Sequence, residues 1–163
     1  MKLTISLLFV LLLLSLPSFG QHLGLTFQEA EKTGLTQPYL DSMYQSAMHV
    51  DSAEAVFKTE LEQQHLYEAY VKLLQDFGKF LSANNFKWER PTKCFNRIYF
   101  SADGTIDYFL FNFLGKPTDK PSAAREKQFT QLLNAFIKDY QIAIKAPRKF
   151  AQCSPSTYMP LGK

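Results

Sequence analysis

A chain of 163 residues with 46% hydrophobic and 15% aromatic content has the composition of one globular domain able to bury a core, which excludes a disordered chain. The formal net charge of +3 falls by one if Lys2 is removed with a leader, and no Lys/Arg block concentrates what remains, so composition gives no ground for a nucleic-acid partner.

Residues 1–20 combine Lys2, a leucine-rich run from Ile5 to Leu16, Pro17 and a Ser18-Phe19-Gly20 end. That is the pattern of a signal peptide cut between Gly20 and Gln21. A retained anchor is the rival reading, but about a dozen apolar residues fall short of the ~20 that cross a bilayer as a helix. No stable membrane span is therefore expected after cleavage. No cysteine lies near the cut, which argues against a lipoprotein.

Thr26 with Glu29 forms a capping box for a short helix ending at Gly34, and Pro38 suits the first turn of a second helix running toward Val50. Asp51 with Glu54 reads as the next box, opening a long helix from Ser52 to about Ala83, with a bend expected near Gln63 to His65. From Phe95 the period changes. Phe95–Ser101 and Thr105–Phe113 read as strands joined at Ala102-Asp103-Gly104, with Gly104 left-handed. That register sets Phe100 against Ile106 and Ile98 against Tyr108, leaving Phe109, Phe111 and Phe113 as a second apolar face and a candidate binding face. Ser122 to about Ile142 carries Phe129, Leu132, Leu133, Phe136, Ile137 and Tyr140 at helical spacing. Pro147 ends that pattern, and Lys149–Cys153 reads as a last strand.

Cys94 and Cys153 are the only cysteines, and in an exported chain an even pair reads first as a disulfide. A bridge needs Cα atoms within about 7 Å, so the first and last strands should be antiparallel neighbours. The expected fold is then α+β: a helical region over residues 26–84, then a three-stranded sheet in residues 94–153 of order 2-1-3, a split β-α-β unit with helices packed on it. Residues 21–163 form one domain in this reading. Closing the Cys94–Cys153 loop would stabilise it by roughly 4 kcal/mol in the chain-entropy account.

Over residues 95–153, the order strand, Asp-Gly hairpin, strand, helix, strand resembles the C-terminal domain of the TonB energy-transducer family, with FSADGTI similar to its hairpin and QFTQLLNAFIKDYQI to its helix. The resemblance implies a periplasmic protein-contact module. The family's proline-rich spacer is absent, and a cleavable leader replaces its anchor, so energy coupling is not implied. The leader and aromatic-rich composition are also similar to small exported Bacteroidota-type proteins of unknown function.

No catalytic motif emerges. His22, His49 and His65 lack metal-ligand spacing, and no GxSxG, P-loop or GxGxxG occurs. Asp107, among apolar strand residues, reads as an exposed edge position or a partner for Arg97. No enzyme, metal or cofactor is expected. Two function classes stay open: an exported, periplasmic or secreted, non-enzymatic module that contacts an envelope protein through a sheet edge, and a small apolar-ligand or lipid binder walled by Phe109, Phe111 and Phe113.

Overall fold

The structure, a computed structural model, describes residues 22–160; the leader and the Gly20–Gln21 boundary lie outside the described residues. The chain order is β1 (Leu23–Thr26), α1 (Phe27–Lys32), α2 (Gln37–Met43), β2 (Gln45–Ser46), α3 (Glu60–Ala83), β3 (Thr92–Phe100), β4 (Ile106–Phe113), a 3-10 turn at Pro117–Asp119, α4 (Ala123–Asp139) and β5 (Phe150–Tyr158). The fold is α+β. Its sheet has five strands in the order β1-β4-β3-β5-β2 rather than the three expected. The inner order β4-β3-β5 places the first hairpin strand between the second and the last, with β3 antiparallel to both neighbours. Two parallel edge strands complete the sheet beyond the expected three. β1 runs beside β4 from Leu23↔Tyr108 to Thr26↔Phe111, and β2 covers only Phe150 and Ala151 of β5.

Helix starts follow local capping chemistry. Thr26 and Glu29 make the expected box, with the Thr26 hydroxyl accepting from Glu29 N–H and the Glu29 carboxylate accepting from Thr26 N–H. Asp51 does not open the long helix. Its carboxylate instead accepts from Ala53 N–H in a turn, and α3 begins at a second box, Thr59 with Glu62. The reason is tertiary: Val56 N–H and Phe57 N–H donate to Ser46 and Ala47 carbonyls, and Phe57 packs edge-on to Phe150 at 5.1 Å. Residues 51–59 are thereby held out of the helix, and the 24 residues of α3 span ~36 Å without needing the expected bend.

The hairpin turn is closed by Ser101 N–H donating to Thr105 C=O, with Gly104 at φ 95°. Phe100 faces Ile106 as expected, but Ile98 faces Phe109 and Tyr99 faces Tyr108, because a bulge at Asp107 shifts the register. The shift returns Ile106, Phe109, Phe111 and Phe113 to one face. A strict alternation would put Ile106 opposite Phe109, so the bulge is what gathers the apolar residues of β4.

That face carries the larger core, covered by α3 and α4. Phe129 of α4 sits at its centre, with ring centroids 4.9 Å from Phe111, 5.2 Å from Phe113, 5.4 Å from Phe77 and 5.7 Å from both Trp88 and Tyr158. Burial of one such ring contributes ~2–3 kcal/mol, with aromatic edge contacts adding to it. The opposite face is closed by α1 and α2 over Tyr99, Leu110 and Ala151. No described helix is long and apolar enough to cross a membrane.

Candidate functional site

The residues singled out by sequence do not converge. Phe109, Phe111 and Phe113 are buried under α3 and α4, so they build the core and offer no binding face. Cys94 and Cys153 are free thiols. They lie on adjacent strands, but Cys94 pairs in register with Ser156 and Cys153 with Arg97. An offset of three residues separates them by ~10 Å along the strand and points them to opposite faces, which no disulfide spans. Burial pushes the Cys94 thiol up to about 12, so it behaves as an inert core group.

His22 Nδ1 lies 2.7 Å from the Ile106 carbonyl oxygen, His49 Nδ1 accepts from Asp51 N–H, and His65 is exposed on α3. Among the described residues, no group of His, Cys, Asp or Glu could hold a metal ion. Asp107 is neither exposed nor paired with Arg97. Its Oδ2 accepts from the Tyr44 and Ser101 hydroxyls, both at 2.8 Å, and meets Lys149 Nζ at 3.3 Å. Arg97 turns instead to Asp41, its terminal nitrogen 2.6 Å from Oδ1, while the Tyr99 hydroxyl donates to the same oxygen. These two clusters tie α2 and the loop before β5 to the sheet. A bulged carboxylate amid aromatic residues was the available signal, but its partners come from distant sequence.

The surface feature with the makings of a site is the groove between α3 and β5. Its upper part, about 330 Å³, is lined by Met48, Leu66, Tyr67, Val71 and Leu74, over a floor of Tyr70, Ser154 and Ser156. The floor is a hydrogen-bonded seam: Ser154 donates to the Tyr70 oxygen at 3.0 Å, Asn96 donates to Ser156 at 2.8 Å, and the Cys94 thiol donates to Asn96 Oδ1 at 3.2 Å. Burial pushes the Tyr70 hydroxyl up to about 12. At Leu74 the groove passes into a lower cleft of about 680 Å³, walled by Leu81, Phe86, Trp88, Tyr158 and Met159, with Gly78 on the helix side. Met48, Tyr67 and Met159 are 43%, 62% and 61% exposed along it, so it gathers three of the chain's exposed large apolar side chains.

Beside this groove runs an open sheet edge. Lys149 and Ala151 turn their carbonyls outward to Gln45 and Ala47 N–H, so by strand alternation Cys153, Pro155 and Thr157 also face outward. Among the described residues no strand covers them. Pro155 has no N–H, so the edge keeps donors only at Cys153 and Thr157. The other edge is sealed. Asn134 of α4 accepts from Gly24 N–H and donates to Gly24 C=O, both at 2.9 Å, occupying the outward groups of Gly24, and the Thr26 N–H donates to the Glu29 carboxylate.

A second cleft, of about 360 Å³, lies at the start of α4 and mixes Arg90, Lys120 and Arg125 with Glu89 and Asp119. Arg90 and Arg125 already donate there to the carbonyls of Thr118 and Lys87. The chain matches no protein-family model, no curated protein and no solved structure.

Proposed function

We propose that the chain is an exported, non-enzymatic protein-interaction module whose working surface is the α3/β5 groove with its open edge. One observation carries the reading: the exposed Tyr67 and half-buried Val71 and Leu74 of α3 stand beside the outward N–H groups of Cys153 and Thr157 on β5, the pairing of pocket and edge by which sheets accept an added segment. The signal-like pattern of residues 1–20 supports export. The hairpin, helix and last strand that resemble the TonB C-terminal domain supply this edge, in keeping with contact between envelope proteins as the class of role.

The test is site-specific photo-crosslinking with the mature chain from Gln21 in envelope extract. A photoreactive phenylalanine analogue at Tyr67 should give a discrete protein adduct, and the same analogue at Lys138 on α4 should not. Equal labelling from both positions refutes the proposal. The hydroxyl floor under apolar walls supports a second reading, a small apolar ligand held in the upper groove. Native mass spectrometry of the protein purified from its host would show that ligand as an added mass lost on Tyr67→Ala. A homogeneous unliganded mass speaks against it.

A further inference from the structure

We propose that the lower cleft, around Gly78, receives a large apolar side chain of the partner segment followed by a carboxylate held between Lys79 and Lys87. This rests on the interaction role proposed above and adds the chemistry of what is recognised. The lower cleft is the larger of the two parts of the groove, and its walls are apolar: Leu74, Leu81, Phe86, Trp88, Tyr158 and Met159.

Gly78 gives it depth. It lies within α3, where glycine weakens a helix relative to alanine, yet a Cβ there would meet nothing within 4 Å. Nothing else in the described chain approaches closely enough to require it. An incoming side chain would use the space.

The charges of the cleft are one-sided. Lys79 and Lys87 line it and no carboxylate does. Among the described residues the one acid within ion-pair distance of Lys79 is Asp76, 3.6 Å away and already engaged by Lys72 and by the Tyr140 hydroxyl at 3.1 Å. Among the described residues Lys87 makes no ion pair. An apolar pocket with two under-used ammonium groups at its rim selects an anionic, apolar occupant. The adjoining outward N–H groups of Cys153 and Thr157 favour a peptide over a fatty acid, because an acyl chain offers them no acceptor along its length.

The experiment is selection from a phage-displayed library of random short peptides on the mature chain, followed by affinity measurement of the selected peptides on variants whose fold is checked by circular dichroism. Expected are peptides with Asp or Glu next to a large apolar residue, weakened about tenfold by Lys79→Glu/Lys87→Glu and by Gly78→Leu. Repeating the selection on the charge-reversed variant should return Lys or Arg in place of the acid. Selected peptides that are lost with Tyr67→Ala but show no acidic preference and ignore the lysine reversal overturn this inference and leave the interaction role standing. Peptides insensitive to every groove substitution, or none at all, overturn both. Saturable binding of oleate that Gly78→Leu abolishes, with no peptide selected, overturns it in favour of a lipid.

Discussion

Alanine at three glycines separates backbone conformation from packing, and each substitution has a sign fixed by the structure. Gly34 and Gly104 both have left-handed φ, 82° and 95°, so a Cβ costs ~1 kcal/mol at either. Around Gly34 there is nothing within 4 Å to add to that. At Gly104 the Cβ would fall 2.6 Å from the Ile142 carbonyl oxygen and 2.7 Å from that of Ile144. Relieving both contacts lifts residues 142–146 off the turn. That breaks the bonds from Ile142 N–H to Gly104 C=O and from Ala146 N–H to Ala102 C=O, and partly uncovers Ile142. At ~1 kcal/mol for each bond and ~1 for the side chain, the excess over Gly34→Ala is ~3 kcal/mol. Gly78→Ala, in open space on a helix, should stabilise by ~0.5–1 kcal/mol. Urea unfolding with a slope of ~2 kcal/mol/M would put the midpoint up ~0.4 M for Gly78→Ala, down ~0.5 M for Gly34→Ala and down ~2 M for Gly104→Ala. A Gly104→Ala variant no weaker than Gly34→Ala would mean that the segment after α4 does not lie across the hairpin turn.

Under native conditions a thiol reagent should modify Cys153 alone, with Cys94 reacting only after unfolding, and two mutually bonded sulfurs in the refolded protein would contradict the register of β3 and β5. The Cys94 thiol stays neutral in the fold up to about 12, whereas it ionises near 9.0 when unfolded. The stability tied to it is therefore whole below pH 9 and is lost as pH rises toward 12, at ~1.4 kcal/mol per unit. Between pH 9 and 10 the wild type should lose about that much more than Cys94→Val. Asp107→Ala strands the buried Tyr44 hydroxyl and should cost ~2–3 kcal/mol, while Asp107→Asn, which keeps an acceptor, should cost ~1; equal costs would remove the hydroxyl argument. Asn134→Ala should cost ~1–2 kcal/mol and speed amide exchange at Gly24 and Leu25 more than in β3.

The elements legible in the sequence were those whose causes are local. Thr26-x-x-Glu29, the Asp103-Gly104 turn and the apolar stripe of α4 each carry their own chemistry. Asp51-x-x-Glu54 looks equally local and opens no helix, because Val56 and Phe57 bond to Ser46 and Ala47 and Phe57 packs on Phe150. β1 and β2 were illegible for a related reason: with four and two residues, each is a strand only because β4 or β5 lies beside it. The central place of β3 was inferred from a Cys94–Cys153 bond that the fold does not contain. The order holds instead because β3 is paired along its length on both sides, with Phe100 reaching Ile106 on one side and Phe150 on the other. The groove could not be read at all. Nothing in the sequence marks Met48, Tyr67 or Met159 as surface residues, and only the placement of β5 against α3 shows them exposed along one groove.

The two edges of the sheet are treated differently, which bears on function. A free edge is a liability that folded chains suppress with side chains, helices or proline. At β1 the suppression is fuller: α4 lies so close that a Cβ on Gly24 would fall 2.6 Å from Leu133, Asn134 takes both outward groups of Gly24, and Glu29 takes the Thr26 N–H. At β5 it is partial. Pro155 removes one donor, enough to spoil an indiscriminate ladder between copies, yet Cys153 and Thr157 remain available on either side, next to the apolar wall of α3. On the interaction role proposed above, a segment that pairs there would have to match two separated donors and fill the groove as well, and the gap at Pro155 would then act as a selectivity element and not simply as a block. Replacing Pro155 by Thr should restore the third donor. Self-association measured by sedimentation should then rise while discrimination among groove-binding peptides falls, and a variant that stays monomeric with unchanged peptide preference would show that Pro155 plays no part in either.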